Sequence, residues 1–306
     1  MSGLDWPLAC PQCRRPLGST DTAQGQLQCS DCASRLHRDQ GIWQALAAGR
    51  EDHYRSFLRD YTRIRKAEGR GSDSPDYYLG LPECPPDHPM AWQWKIRRAT
   101  YRTLRRRVLP RLQPGSRILD LGAGVGWLSH RLAQQGLRPC AVDLSDDPED
   151  GLGAARHYRP DWPRVRAEFD RLPFPESCAD VALFNASLHY STDYRRTLSE
   201  SLRVVRGGGR LIVLETPVYR KEASGRQMAA RRHADFEKRF GTPSDALASI
   251  EFLTWDWIGE LGRSLGLKWR VLRPFYGWKW HLRPLKARLK GTREPSQFVI
   301  LTAQIP

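Results

Sequence analysis

No stretch of the 306 residues holds the ~20 consecutive apolar side chains that a membrane-crossing helix requires. The first residues also lack the basic-then-apolar order of a secretory leader, so the expectation is a cytoplasmic protein. Cysteine is sparse and odd in number, seven in all, which argues against a disulfide framework and for a reducing compartment. Acidic side chains fall short of basic ones, 34 against 49, leaving a formal net charge of +15 that calls for a partner of opposite sign. The length suits one large α/β domain with a small appendage, at ~100–200 residues per domain.

The most informative stretch present is Arg117-Ile118-Leu119-Asp120-Leu121-Gly122-Ala123-Gly124-Val125-Gly126-Trp127. An apolar strand and an acid lead into three alternating glycines, and a helix with Leu128 and Leu132 on one face follows. Such a loop turns tightly, admits a ligand close to the backbone and points free N–H groups at it. The spacing is G-x-G-x-G; the G-x-G-x-x-G of dinucleotide sites is absent. A second strand, Cys140 to Leu144, brings Asp143 about 20 residues on, the offset at which a carboxylate accepts ribose hydroxyls. Val165 to Phe169 then runs into Asp170 and the turn Leu172-Pro173-Phe174, and Ala179 to Asn185 reads as a fully buried fourth strand.

With these residues the chain resembles the class I S-adenosylmethionine-dependent methyltransferases, in particular the branch that includes the ubiquinone and menaquinone C-methyltransferases. The resemblance rests on the loop from Asp120 to Gly126, Asp143, Leu172-Pro173-Phe174, Leu188-His189, and Arg203-Val204-Val205-Arg206-Gly207-Gly208-Gly209. It is close over about residues 112–218 and holds in outline elsewhere. It implies a Rossmann-like, seven-stranded α/β fold whose last strand runs antiparallel between the fifth and sixth. It also implies S-adenosylmethionine as cofactor. Gly122, Ala123, Gly124 and Gly126 would line its amino-acid end with Asp120 beneath, and Asp143, beside Leu144, would take the ribose. Glu168 would reach the adenine amine, where the family usually carries Asp, so Asp170 competes for that role. The Phe169 backbone would meet the ring. Asn185, His189 and Tyr190, just past the fourth strand, would face the transferred methyl, with His189 able to act as a base. The stretch Asn185-Ala186-Ser187-Leu188 lacks the Asn-Pro-Pro-aromatic signature of enzymes that methylate exocyclic amines, which argues against that chemistry.

A second motif lies upstream. Cys10-Pro11-Gln12-Cys13 and Cys29-Ser30-Asp31-Cys32, separated by 15 residues, place four thiolates at two turn tips as a tetrahedral Zn²⁺ requires. So small a unit cannot bury enough apolar surface to fold alone, and metal binding would supply the deficit. The pattern resembles the zinc-ribbon proteins that activate tRNA and translation-factor methyltransferases, and the ribbon ahead of a ribosomal RNA guanine methyltransferase. Four closed thiolates are expected to be structural.

The expected organisation is a ribbon over 1–48, a helical cap segment over 49–111, and the methyltransferase domain over 112–306 with a basic, aromatic insert at 274–294. In the cap segment Tyr54, Phe57, Leu58, Tyr61 and Ile64, and then Trp94, Tyr101, Leu104 and Val108, recur at helical spacing; 69–89 reads as loop, and Tyr77 or Tyr78 is placed to close over a sulfonium. Further helices are expected over 194–205, 228–240 and 254–265, and strands over 209–215, 269–273 and 297–301. Basic residues concentrate at 97–111 and 268–293, the latter interleaved with Trp269, Phe275, Tyr276, Trp278 and Trp280. That mixture suits stacked bases of RNA or the surface of an anionic membrane. Three functions fit: methyl transfer to a small-molecule or lipid-like acceptor, which the residues favour; ribosomal or transfer RNA methylation; and a cofactor-binding scaffold without turnover.

Overall fold

The computed structural model describes residues 6–18 and 25–306; the first five residues and 19–24, all inside the expected ribbon, lie outside the described residues. Three short strands come first, β1 (Gln26–Gln28), β2 (Arg35–Asp39) and β3 (Ile42–Gln44). Helices α1 (Arg50–Ala67), α2 (Pro75–Gly80) and α3 (Ala91–Arg107) follow. The α/β alternation then runs β4 (Arg117–Leu121), α4 (Trp127–Ala133), β5 (Arg138–Asp143), β6 (Arg164–Arg166), β7 (Ala179–Asn185), α5 (Tyr194–Val204) and β8 (Val205–Leu214). The remainder comprises β9 (Val218–Tyr219), α6 (Glu222–Phe240), β10 (Leu253–Thr254), α7 (Trp255–Leu265), β11 (Arg270–Leu272), α8 (Trp278–His281), α9 (Arg283–Leu289) and β12 (Ile300–Gln304).

Ten strands form one sheet in the order β1-β2-β3-β6-β5-β4-β7-β8-β12-β11. From β6 to β11 this is the expected seven-stranded order: β6, β5, β4, β7 and β8 are parallel, and β12 runs antiparallel between β8 and β11. The sequence reading did not include the other end, where β3 pairs in parallel with β6 and so joins the N-terminal segment to the sheet. Both faces are covered, and successive residues alternate between them. Leu119, Leu121, Ala182, Phe184, Leu211 and Val213 enter one apolar layer, while Ile118, Val181, Leu183, Ile212 and Leu214 enter the other. Strand segments buried on both sides favour apolar residues on both faces, which is why Val181 to Phe184 and Leu211 to Leu214 read as continuous hydrophobic runs.

Several boundaries differ from expectation. The stretch 69–89 contains α2, with Pro75 at its first helical position and Tyr77 and Tyr78 buried on it; proline there forfeits only an N–H that would have no partner in the helix. β8 begins at Val205 and carries Gly207 to Gly209 inside it, across a register shift opposite β7 between Ala179 and Val181. Helix α6 starts six residues before the expected Met228. β12 begins at Ile300, because Gln297 is held in an isolated bridge with Val218.

Candidate cofactor and acceptor site

The C-terminal ends of β4, β5, β7 and β8 open into one cavity of about 720 Å³, within the ~300–1,000 Å³ range of small-molecule sites. Its floor is the glycine loop. Gly122 has φ +77°, and a Cβ there would stand 2.2 Å from that of Ser187; Gly124, at φ +53°, faces open space. The first glycine is thus required by its neighbours and the second leaves room for a ligand against the backbone. Asp143, ending β5, accepts from Gly124 N (2.8 Å) and Ser145 N (2.9 Å) and lines the cavity. Its oxygens keep lone pairs for further donors, and burial raises its pKa.

Gly122, Ala123, Gly124, Asp143, Leu144, Phe169, Asp170, Asn185, His189 and Tyr190 all line this space. Asp120, Gly126 and Glu168 do not. Asp120 lies under the loop, fully buried, accepting from Ser129 Oγ at 2.8 Å, and burial pushes its carboxyl up to about 7. Gly126 turns the chain into α4 at φ +73° beneath Trp162. Glu168 faces away from the cavity lining and into the cap. Its carboxylate accepts from Arg50 Nε (3.0 Å) and Nη2 (2.7 Å) and from Tyr54 Oη (2.7 Å), fastening α1 beside β6. Asp170 stands on the cavity side instead, accepting from Thr197 Oγ1 at 2.6 Å.

The cap comes from α1, α3 and α6. Tyr54, Phe57, Tyr61, Trp94 and Phe236 supply an aromatic wall facing Tyr190 and Phe298. Tyr77 and Tyr78 are not part of it. Tyr78 Oη donates to Glu149 O (2.7 Å) and its ring stacks on His157, while Tyr77 accepts from Trp94 Nε1 (3.0 Å). They are packing residues of α2 and, against expectation, do not border the cavity in which a sulfonium would lie.

Charged groups outside the expected site also line the cavity, among them Arg65, Asp150, Arg97, Glu215 and Arg232. Arg97 is stacked on Trp94 at 4.5 Å and stands 3.9 Å from Glu215, the residue just after β8. Arg232 pairs with Glu251, which also meets His233 Nε2 at 2.7 Å. Arg65 pairs with Asp150. Burial lowers the pKa of Arg97 and raises that of Glu215. Among the described residues, His189 Nδ1 and Glu215 Oε1 are buried with no hydrogen-bond partner. Burial, with Arg232 and Arg97 nearby, pushes the His189 imidazole down to about 3, so it is neutral at physiological pH. Glu215 could have been found in the sequence, since it ends a strand on the ligand edge. Arg97 could not, because it belongs to a basic run that reads as surface.

The four cysteines converge as their spacing predicts. All four Sγ atoms lie within 4.8 Å of one another, with Cys10 to Cys32 and Cys13 to Cys29 each 3.4 Å apart. Zn–S bonds of about 2.3 Å in a tetrahedron require S–S edges of about 3.8 Å, so the donor set fits that ion. Backbone N–H groups of Cys32 and Asp31 lower the Cys29 thiol to about 7.

Comparison with known proteins follows this geometry. A model of the methyltransferase domain matches residues 119–213. The chain is 37% identical over 103 residues to a demethylmenaquinone methyltransferase of Beutenbergia cavernae, covering 34% of this chain and 42% of the relative. It is 37% identical over 124 residues to one of Mycobacterium marinum, covering 40% and 49%. It therefore spans less than half the length of these curated relatives. Among solved structures, a Haloferax volcanii complex of a methyltransferase activator and a methyltransferase matches with TM-score 0.51 at 17% identity, over 77% of this chain and all of the other; at that identity the likeness speaks to the fold. Residues 119–213 thus match a methyltransferase domain, and the strand order is the one expected of the class I S-adenosylmethionine-dependent methyltransferase fold.

Proposed function

We propose that the protein transfers a methyl group from S-adenosylmethionine to a small, lipid-like acceptor bearing an acidic head, and that Zn²⁺ on Cys10, Cys13, Cys29 and Cys32 holds its N-terminal segment. The observation that carries this reading is a cavity whose lining combines aromatic side chains with the cations Arg65, Arg97 and Arg232. A quinone-type ring would meet aromatic faces there, and Arg97 and Arg232 would attract an ionised oxygen. The demethylmenaquinone methyltransferases to which the chain is similar support an acceptor of this class.

In this reading Gly122, Ala123 and Gly124 take the amino-acid end of the cofactor. Asp143 accepts both ribose hydroxyls beside Leu144, and Phe169 and Asp170 receive the adenine, Asp170 in place of Glu168. When bound, S-adenosylmethionine supplies an already activated methyl. The protein's part is alignment, where effective molarities of ~10⁵–10⁸ M are attainable. Asn185 and Tyr190 border the transfer axis. His189, pushed down to about 3 by burial, is too weak a base for proton abstraction and would instead accept a hydrogen bond from the acceptor, while Glu215, whose pKa burial raises, is the better placed to take a proton.

Calorimetry with S-adenosylmethionine and its demethylated product tests the cofactor half. Asp143→Ala is expected to weaken binding by at least about a hundredfold, the loss of two charge-assisted hydrogen bonds, with circular dichroism unchanged. Incubation with labelled cofactor and either quinol-type lipids or total RNA tests the acceptor half: label in the lipid supports the proposal, and label in RNA alone overturns it.

A further inference from the structure

The segment between β11 and β12 inverts the usual arrangement of an amphipathic helix. Helices α8 and α9 follow one another through a turn at Leu282 that keeps i to i+4 bonds from Leu282 N to Trp278 O and from Lys286 N to Leu282 O, each 3.0 Å. Along this helical segment Trp278, Leu282, Leu285 and Leu289 recur at i, i+4, i+7 and i+11, the spacing of a single face. That face points outward: Trp278 is 74% exposed and Leu289 78%, and Phe275 beside them is 57% exposed. The side turned to the protein is carried by Trp280, whose ring stacks on Phe298 with centroids 5.5 Å apart and receives the Arg283 guanidinium. Tyr276 adds a hydrogen bond to Thr100 of α3 at 2.9 Å. An apolar stripe on a helix already docked by its other side has no intramolecular use.

The charges around the stripe say what covers it. Residues 261–293 carry ten Lys or Arg and no Asp or Glu, and Lys279, Lys286, Arg288 and Lys290 stand exposed along the same helix. A helix with Trp and Leu on one face and cations on its flanks lies in a membrane interface, where apolar side chains enter the acyl boundary and each cation near anionic headgroups adds to binding. Position agrees with this. Phe298, under Trp280, lines the cavity, and Trp92, also cavity-lining, is 61% exposed. The helix therefore borders the mouth of the acceptor site.

We infer that α8 and α9 with Phe275 form a docking surface for an anionic lipid bilayer, holding the cavity mouth against the headgroup layer. That the bilayer also delivers the acceptor rests on the lipid-like reading above; the docking itself does not.

The test is flotation of the full, zinc-loaded chain with vesicles of phosphatidylglycerol and phosphatidylcholine, against vesicles of phosphatidylcholine alone. The wild type is expected to bind the anionic vesicles at least about tenfold more tightly, less so at high salt. The combined substitution Leu282→Asn, Leu285→Asn and Leu289→Asn should lower that binding about tenfold or more, and Lys279→Gln with Lys286→Gln and Lys290→Gln should remove its salt dependence. Calorimetric affinity for S-adenosylmethionine, unchanged in both variants, shows that they fold. Equal binding to neutral and anionic vesicles overturns the inference. So does an asparagine variant that floats like the wild type, an interaction with RNA but not vesicles, or a dimer that the asparagine variant dissolves while neither protein floats. Vesicle binding without methylation of any quinol lipid supports docking and removes only the acceptor class.

Discussion

Asp120 and His189 are ionisable groups held in their neutral forms, and their effects on stability oppose one another. His189 is pushed down to about 3 from an ordinary 6.5. Its unfolded form binds the extra proton, so its contribution is complete above pH 6.5 and is lost as pH falls toward 3. Asp120 is raised from 3.8 to about 7. Its folded form holds the extra proton, so stability from this group falls as pH rises from 3.8 through 7. Each is of the order of several kcal/mol, and between pH 4 and 6.5 they largely cancel. Melting temperatures across that window should show it: Asp120→Asn steepens the acid-side loss, and His189→Gln reverses the slope, so that the variant melts higher at pH 4.5 than at pH 6.5. Parallel profiles in all three proteins would mean that neither group is buried as described. The carboxylate of Asp143 was legible from its offset after the glycine loop. The partner of Glu168 was not, because Arg50 lies 118 residues away and no local pattern announces so distant a pairing.

The segment ahead of β1 bears as an element on the turn that follows β6. Ala9 N donates to Pro173 O at 2.9 Å, Trp6 meets Phe174 edge to face, and Arg14 pairs with Glu200 at 3.1 Å; Glu200 in turn accepts from Leu172 N at 2.9 Å. The cysteine-bearing segment thus grips residues 172–174, the turn that follows Phe169 and Asp170. Chelation of zinc should accordingly weaken S-adenosylmethionine binding, by about tenfold in calorimetry, although no thiolate approaches the cavity. Affinity that holds steady while metal analysis reports an empty site would reduce the ribbon to a terminal clip. The four-cysteine motif was plain in the sequence, since its spacing is nearly sufficient to define it. Its attachment through β3 and β6 was hidden, because three residues such as Ile42 to Gln44 carry no periodicity long enough to mark a strand.

At the scale of the molecule, the cavity is closed by helices that are distant in sequence. Thr242, just beyond α6, donates from Oγ1 to Asp60 of α1 at 2.8 Å, and Arg63 donates to Phe240 O at 2.6 Å. If a cofactor enters by way of this seam, α1 and α6 part to admit it, and the two helices should exchange their amide hydrogens faster than β4 and β7 and gain protection together when the demethylated cofactor binds. Protection confined to the glycine loop would show that the seam stays shut. The sheet order was available from the alternation of strands and helices and from family resemblance. The cap was available only as helical spacing, since which faces meet is decided by tertiary packing.

Because β3 runs along β6, the cysteine-bearing segment also covers what would otherwise be the open rim of a parallel sheet. A chain shortened to its α/β portion would bare the backbone donors and acceptors of residues 164–166 and invite stacking of one molecule on the next. The N-terminal segment is in that sense a guard against self-assembly, and the protein cannot shed it without gaining a sticky end.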